Sequence, residues 1–162
     1  MRVTTLAATA ASVAATAVIG GLASRPAVRS PWYARLRTPS FQPPPQVFPV
    51  VWPTLYTDIA LVSAPTIDQL RDRGQWRQAR AYRTALAVNL VLNGSWSWIF
   101  FNRHQLGAAA AVAAALTASS ADLTRRAVAV RGVQAAPLAL YPLWCAFATV
   151  LSTRIWLLNR RR

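Results

Sequence analysis

Long uncharged runs alternate along the chain with short connectors that carry arginine. Val3–Ser24 has no charge, Val47–Ala64 has only Asp58, and Thr84–Phe101, Gln105–Ala121 and Gly132–Thr153 have none. A bilayer core of about 30 Å needs roughly 20 apolar helical residues, with 17–25 as the practical range. The pattern therefore predicts five helical spans, at about 3–24, 47–64, 84–101, 105–121 and 132–153. The fourth run is alanine-rich and only weakly hydrophobic. Among stronger neighbours it is still expected to cross, because alanine lets helices approach closely. The first run follows Arg2 and ends in the small residues Gly20–Ser24, which are also features of a cleaved signal peptide. It is longer than a usual signal core and no soluble domain follows, which favours a retained span. The expected fold class is an all-α integral membrane protein, one domain over 1–162 built as a bundle of five transmembrane helices.

Composition sharpens that reading. Mean hydropathy is +0.28, and 54% of the residues are hydrophobic. All 18 basic residues are arginine, against four aspartates, for a net charge of +14. Such a charge ordinarily suggests nucleic acid or an anionic surface. Here the arginines lie between apolar runs instead of forming one face, so no nucleic-acid partner is expected and the bilayer is. The longest connector, Pro65–Arg83, has five arginines and two aspartates and is expected to be a solvated loop with a short amphipathic turn. Orientation stays open under the positive-inside rule, with nine arginines on one side and eight on the other, or nine counting Arg154. Cys145 and His104 are each single, which leaves no disulfide and almost no material for a metal site.

Three blocks stand out against this background: SPWYARLRTPSFQPPPQVFPVVWPTLY, NLVLNGSWSWIFFNRH and YPLWCAFATVLSTRIWLLN. Together, in this order and spacing, they resemble the signatures of the TspO/MBR family of tryptophan-rich sensory and translocator proteins. The resemblance covers Ser30–Asn159. It implies a five-helix bundle, often a homodimer, with a pocket closed by the long loop after the first helix, here residues 25–46. It implies a porphyrin or haem-type tetrapyrrole as ligand, with transport, stress sensing or light-dependent porphyrin degradation as the activity. A scaffold without ligand turnover is the remaining alternative. A resident cofactor, a metal and conventional catalytic residues are not expected.

By the same resemblance the pocket would be lined by Trp32, Tyr33, Phe48, Trp52, Asn89, Asn93, Trp96, Trp144, Ala148, Leu151 and Ser152. Flat conjugated ligands suit tryptophan, because offset stacking adds about 0.5–1.5 kcal/mol beyond area burial. Trp98 and Trp156, near helix ends, are expected to be interface anchors. Asn89 and Asn93 are spaced i, i+4 and share a helix face, which should point inward, either to neighbouring helices or to a ligand. Arg35 and Arg37, in the lid, would meet lipid headgroups or the propionates of a porphyrin. The proline-rich segment RTPSFQPPPQVFPVVWP, Arg37–Pro53, is expected to be a stiff lid, with Pro49 and Pro53 in the first turns of the second helix and Trp52 beneath it.

Asp58, inside a span, is costly unless it faces the interior or is paired. An ion pair with Arg154 is expected from the neighbouring second and fifth helices of the family's bundle. The chain also departs from the family. Phe41-Gln42 replaces the Trp-His of many members, and Ser152-Thr153 replaces the Asn and Tyr of the fifth helix. Ala108 stands where animal members have tryptophan. These changes argue against sterol binding and against any role for a lid histidine.

Overall fold

The structure, a computed structural model, describes residues 1–160; Arg161 and Arg162, counted in the charge balance above, lie outside the described residues. Five long helices carry the fold: α1 (Val3–Ala27), α3 (Phe48–Asp72), α4 (Trp76–Ser97), α5 (Leu106–Arg131) and α6 (Leu140–Asn159). A single-turn α2 (Pro31–Ala34) sits in the lid. No strand occurs among the described residues. α1 packs on α3 and α4, α4 on α5, and α5 on α6.

Four continuous helical stretches are long and apolar enough to cross a membrane: Val3–Ala27, Pro45–Asp72, Trp76–Asn102 and Leu106–Asn159. The last has 54 residues, about 80 Å at 1.5 Å per residue. It contains two helices because Gly132, at φ 58°, ends α5, and a 3₁₀ segment, Gly132–Ala139, leads into α6. That positive φ is readily adopted only by glycine.

The helices outrun the apolar patches. The connector expected over Pro65–Arg83 is mostly helix: α3 runs through Asp72, α4 begins at Trp76, and only the turn around Gly74 (φ 69°) intervenes. Arginine is a good helix former, so charge marks where a helix leaves the membrane and not where it stops. Pro65 lies inside α3 without ending it.

α1 is held into the bundle at both ends. Near its start, the Asp68 carboxylate is buried and accepts from the Arg2 backbone N–H and from the Thr5 hydroxyl at 2.7 Å. Arg71 lies 3.9 Å from the same carboxylate. Along the helix, Thr9 and Thr16 are buried, with hydroxyls donating back to the carbonyls of Thr5 and Ser12. A polar residue satisfied within its own helix can face a neighbour at little cost. Near its end, a Cβ on Gly20 would sit 3.2 Å from Ser97 Oγ, so glycine permits the close approach of α1 and α4.

Candidate functional site

The lid is ordered by its own local chemistry and then fastened to the bundle. Ser30 caps α2 by accepting from the Tyr33 N–H at 3.2 Å, with Pro31 at the first helical position. Further on, Asn159 at the end of α6 accepts from the Arg37 N–H at 3.2 Å and donates to the Arg37 carbonyl at 2.9 Å. This two-bond clip joins positions 122 residues apart. Pro39 is buried, and Phe41 lies edge-on to Phe147 of α6 at 6.4 Å. α3 begins at Phe48 with Pro49 and Pro53 in its first turns, as expected.

Aromatic rings converge beneath the lid from four directions. Trp32 stacks on His104 at 3.8 Å and meets Phe100 at 6.0 Å. Tyr33 lies 6.1 Å from Phe101. On α4, Trp96 stacks on Phe100 at 5.1 Å. Phe48 of α3 meets Trp144 of α6 at 6.0 Å, and Trp144 lies 5.3 Å from Phe147. Leu151 and the partly buried Trp32, Tyr33, Phe48, Trp96 and Phe147 belong to one hydrophobic cluster. Trp52, 5.5 Å from Tyr56, and Trp144 also pack against the main core. Ser152 is buried and Ala148 half-buried on the same helix.

A π-helical turn, Trp98–Asn102, interrupts the end of α4. Such turns are often found at functional sites. Phe100, which touches both Trp32 and Trp96, and Phe101 lie in it.

The polar groups follow two patterns. Trp96 Nε1 is buried with no hydrogen-bond partner, which places an unfilled donor in the aromatic cluster. Burial pushes the Tyr33 phenol above its ordinary pKa, and a hydrogen bond with Gln42 partly offsets this. The Tyr33 hydroxyl is thus a neutral donor at physiological pH. By contrast, Asn89 and Asn93 are already occupied. Tyr56 donates to Asn93 Oδ1 at 2.8 Å, and Asn93 Nδ2 donates to Tyr141 Oη at 3.1 Å. Tyr141 in turn donates to Asn89 Oδ1 at 2.8 Å, and Asn89 Nδ2 donates to Ser119 at 3.2 Å. This one-way chain ties α3, α4, α5 and α6 together. Tyr56, Tyr141 and Ser119 were not singled out from the sequence; a tyrosine in an apolar run carries no signal of what its hydroxyl meets.

The Asp58–Arg154 ion pair is not formed. Among the described residues neither makes a salt bridge, Arg154 is exposed, and Asp58 Oδ2 is buried without a partner. α3 packs chiefly on α1 and α4 and not on the length of α6, so the two side chains are not brought together. Arg35 is exposed, and its Nε donates to the Pro31 carbonyl at 3.2 Å; Arg37 is exposed beside the clip. Trp98 donates to the Ile19 carbonyl at 3.2 Å while 42% exposed. Trp156 is 37% exposed and covers Gly107. Among the described residues no group of three metal-ligating side chains occurs.

Comparison with known proteins settles the family. The profile of the TspO/MBR family matches residues 8–157. The chain belongs to the TspO/MBR family. It is 34% identical over 131 residues to the human translocator protein, covering 77% of this chain and 73% of that one. It is 35% identical over 136 residues to the pig translocator protein, covering 81% and 76%. Protein CrtK of Rhodobacter capsulatus is 30% identical over 128 residues, covering 79% and 78%. With its long apolar helices, this TspO/MBR chain is an integral, multi-pass membrane protein. Two grooves, of about 720 and 1320 Å³, flank α4. Neither is lined by the lid of this TspO/MBR bundle.

Proposed function

We propose that the five long helices each cross the bilayer and that the cluster beneath the lid binds a tetrapyrrole of the porphyrin or haem type, for transport or sensing. The observation that carries this reading is the meeting of Trp32, Tyr33, Phe48 and Trp96 in one cluster, joined by Trp144 through Phe48 and Phe147, with the Trp96 N–H buried and unfilled. Rings from four elements offer a flat conjugated ligand several stacking faces, each adding about 0.5–1.5 kcal/mol. The Trp96 donor then finds an acceptor on the ligand, which removes the penalty of an orphaned buried N–H, about 1–3 kcal/mol. Arg35 and Arg37, exposed on the lid, would meet carboxylates at the ligand's edge.

Entry requires the lid to lift, which breaks the Arg37–Asn159 clip and separates Trp32 from His104. The two asparagines hold the floor and do not face the ligand. No nucleophile with a paired base stands in the cluster, so binding is favoured over turnover.

The test is a titration of the detergent-solubilised chain with protoporphyrin IX, followed by tryptophan quenching. Saturable quenching that falls in Trp96→Phe and Trp144→Phe supports the site. Quenching unchanged in both removes it. Illumination of the complex then separates the activities, since porphyrin loss faster than that of free porphyrin would favour degradation.

A further inference from the structure

The first turns of α4 present a basic surface that nothing in the bundle uses. Arg77 and Arg80, spaced i, i+3, share one helix face and are exposed. Among the described residues neither forms a salt bridge or a side-chain hydrogen bond. Both line the groove of about 720 Å³ between α4 and α5, on the side of the bundle away from the lid. Arg126 of α5 closes the opposite rim; its partner Asp122, also on the rim, is neutralised by Arg126 at 2.5 Å and by Arg125 at 2.6 Å. The mouth therefore keeps a net positive charge.

Below the mouth the groove changes character. Thr84 places a hydroxyl one helical turn beneath Arg80, Ala85 and the exposed Val88 continue the wall, and Ser119, which accepts from Asn89 Nδ2 at 3.2 Å, lies at the deep end. From Arg77 to Val88 the helix rises about 16 Å, half of a bilayer core. Trp76, 63% exposed, stands at the top, where an indole sits among lipid headgroups.

We propose that this groove is a binding site for one anionic phospholipid. Its phosphate lies between Arg77 and Arg80, its ester region beside Thr84, and one acyl chain along Ala85 and Val88. The order of chemistry, from guanidinium to hydroxyl to hydrocarbon, is that of a glycerophospholipid read from headgroup to tail. A second copy of the chain fits worse, because a two-fold contact through this face would set unpaired arginines against their own symmetry mates. Guanidinium also suits phosphate as a bidentate donor.

The test is native mass spectrometry of the full chain, released from neutral detergent after equilibration with phosphatidylglycerol, phosphatidylcholine or soluble glycerol phosphate. One retained phosphatidylglycerol per chain is expected, with neither of the others retained comparably. Each arginine near an anionic surface contributes roughly fivefold in affinity, so Arg77→Gln with Arg80→Gln should weaken retention about 30-fold. Arg29→Gln, on the lid side, should leave it unchanged. Val88→Trp, which fills the groove without altering charge, should also abolish retention, whereas Arg77→Lys with Arg80→Lys should keep part of it. Equal retention of phosphatidylcholine, equal binding of glycerol phosphate, or full retention by the double Gln variant would each overturn the assignment. So would a dimer cross-linked through Ala81→Cys whose formation phosphatidylglycerol leaves unaffected.

Discussion

Replacing Tyr141 by phenylalanine removes one oxygen from the centre of the bundle. The Tyr141 side chain is 0% exposed. Its hydroxyl accepts from Asn93 Nδ2 at 3.1 Å and donates to Asn89 Oδ1 at 2.8 Å. Phenylalanine keeps the ring packing and leaves one amide donor and one amide acceptor with nothing to meet. In soluble cores each orphaned group costs about 1–3 kcal/mol. Inside membrane bundles a side-chain hydrogen bond averages about 0.6 and reaches about 1.7 kcal/mol, because the unfolded chain in the membrane also finds partners. Two bonds then give about 1.2 kcal/mol, with about 3.4 kcal/mol as the upper bound. The lower value is favoured, since the Asn93 oxygen keeps its bond from Tyr56 and the Asn89 amide keeps Ser119. The assay is reversible unfolding in mixed micelles, run as a double-mutant cycle with Asn89→Ala. A Tyr141→Phe loss of about 1–2 kcal/mol, with coupling of at least about 0.5 kcal/mol to Asn89, is expected. Additive losses, or a Tyr141→Phe effect near zero, would show that the chain of hydrogen bonds does not hold the helices together.

Three further outcomes are expected. Asp68→Ala should cost about 2–4 kcal/mol in the same assay, below the usual figure for a broken buried pair because Arg71 is 24% exposed, and a loss under about 1 kcal/mol would show that α1 does not depend on this anchor. Asp58→Asn should leave stability unchanged or raise it by up to about 1 kcal/mol, since Asp58 Oδ2 is buried without a partner, and its effect should add to that of Arg154→Gln within about 0.5 kcal/mol; coupling beyond that would restore the ion pair. Asn159→Ala should cost under about 1 kcal/mol in stability yet raise proteolysis within residues 31–46, and an unchanged cleavage rate would mean that the clip does not hold the lid.

The broad architecture was legible because the bilayer imposes a length on apolar runs: those starting at Val3, Val47 and Thr84 each fall within a helical stretch, while the fourth, helical from Leu106, shares one stretch with the run from Gly132. Their ends were less legible. Hydropathy registers where a helix meets water, whereas hydrogen bonding decides where it stops, and Arg71 and Arg77 are as helical as their apolar neighbours. The inward face of Asn89 and Asn93 could be read from their i, i+4 spacing. Their partners could not, since the Tyr141 hydroxyl and the Ser119 hydroxyl come from other helices with no periodic relation to α4. The proline content of the lid could be read directly, but its fastening depends on Asn159 across 122 residues. The Asp58–Arg154 expectation failed for the same reason in reverse: it took two helices to be neighbours along their length when α3 leans on α1 and α4 instead.

Hydrogen–deuterium exchange of the full chain in micelles, with and without saturating protoporphyrin IX, tests the central claim most directly. Slowed exchange confined to the segment between α1 and α3, residues 28–47, and to the adjoining ends of α3, α4 and α6 is the predicted result. Saturable binding with no protection of the lid, or with protection at the basic groove between α4 and α5, would contradict it.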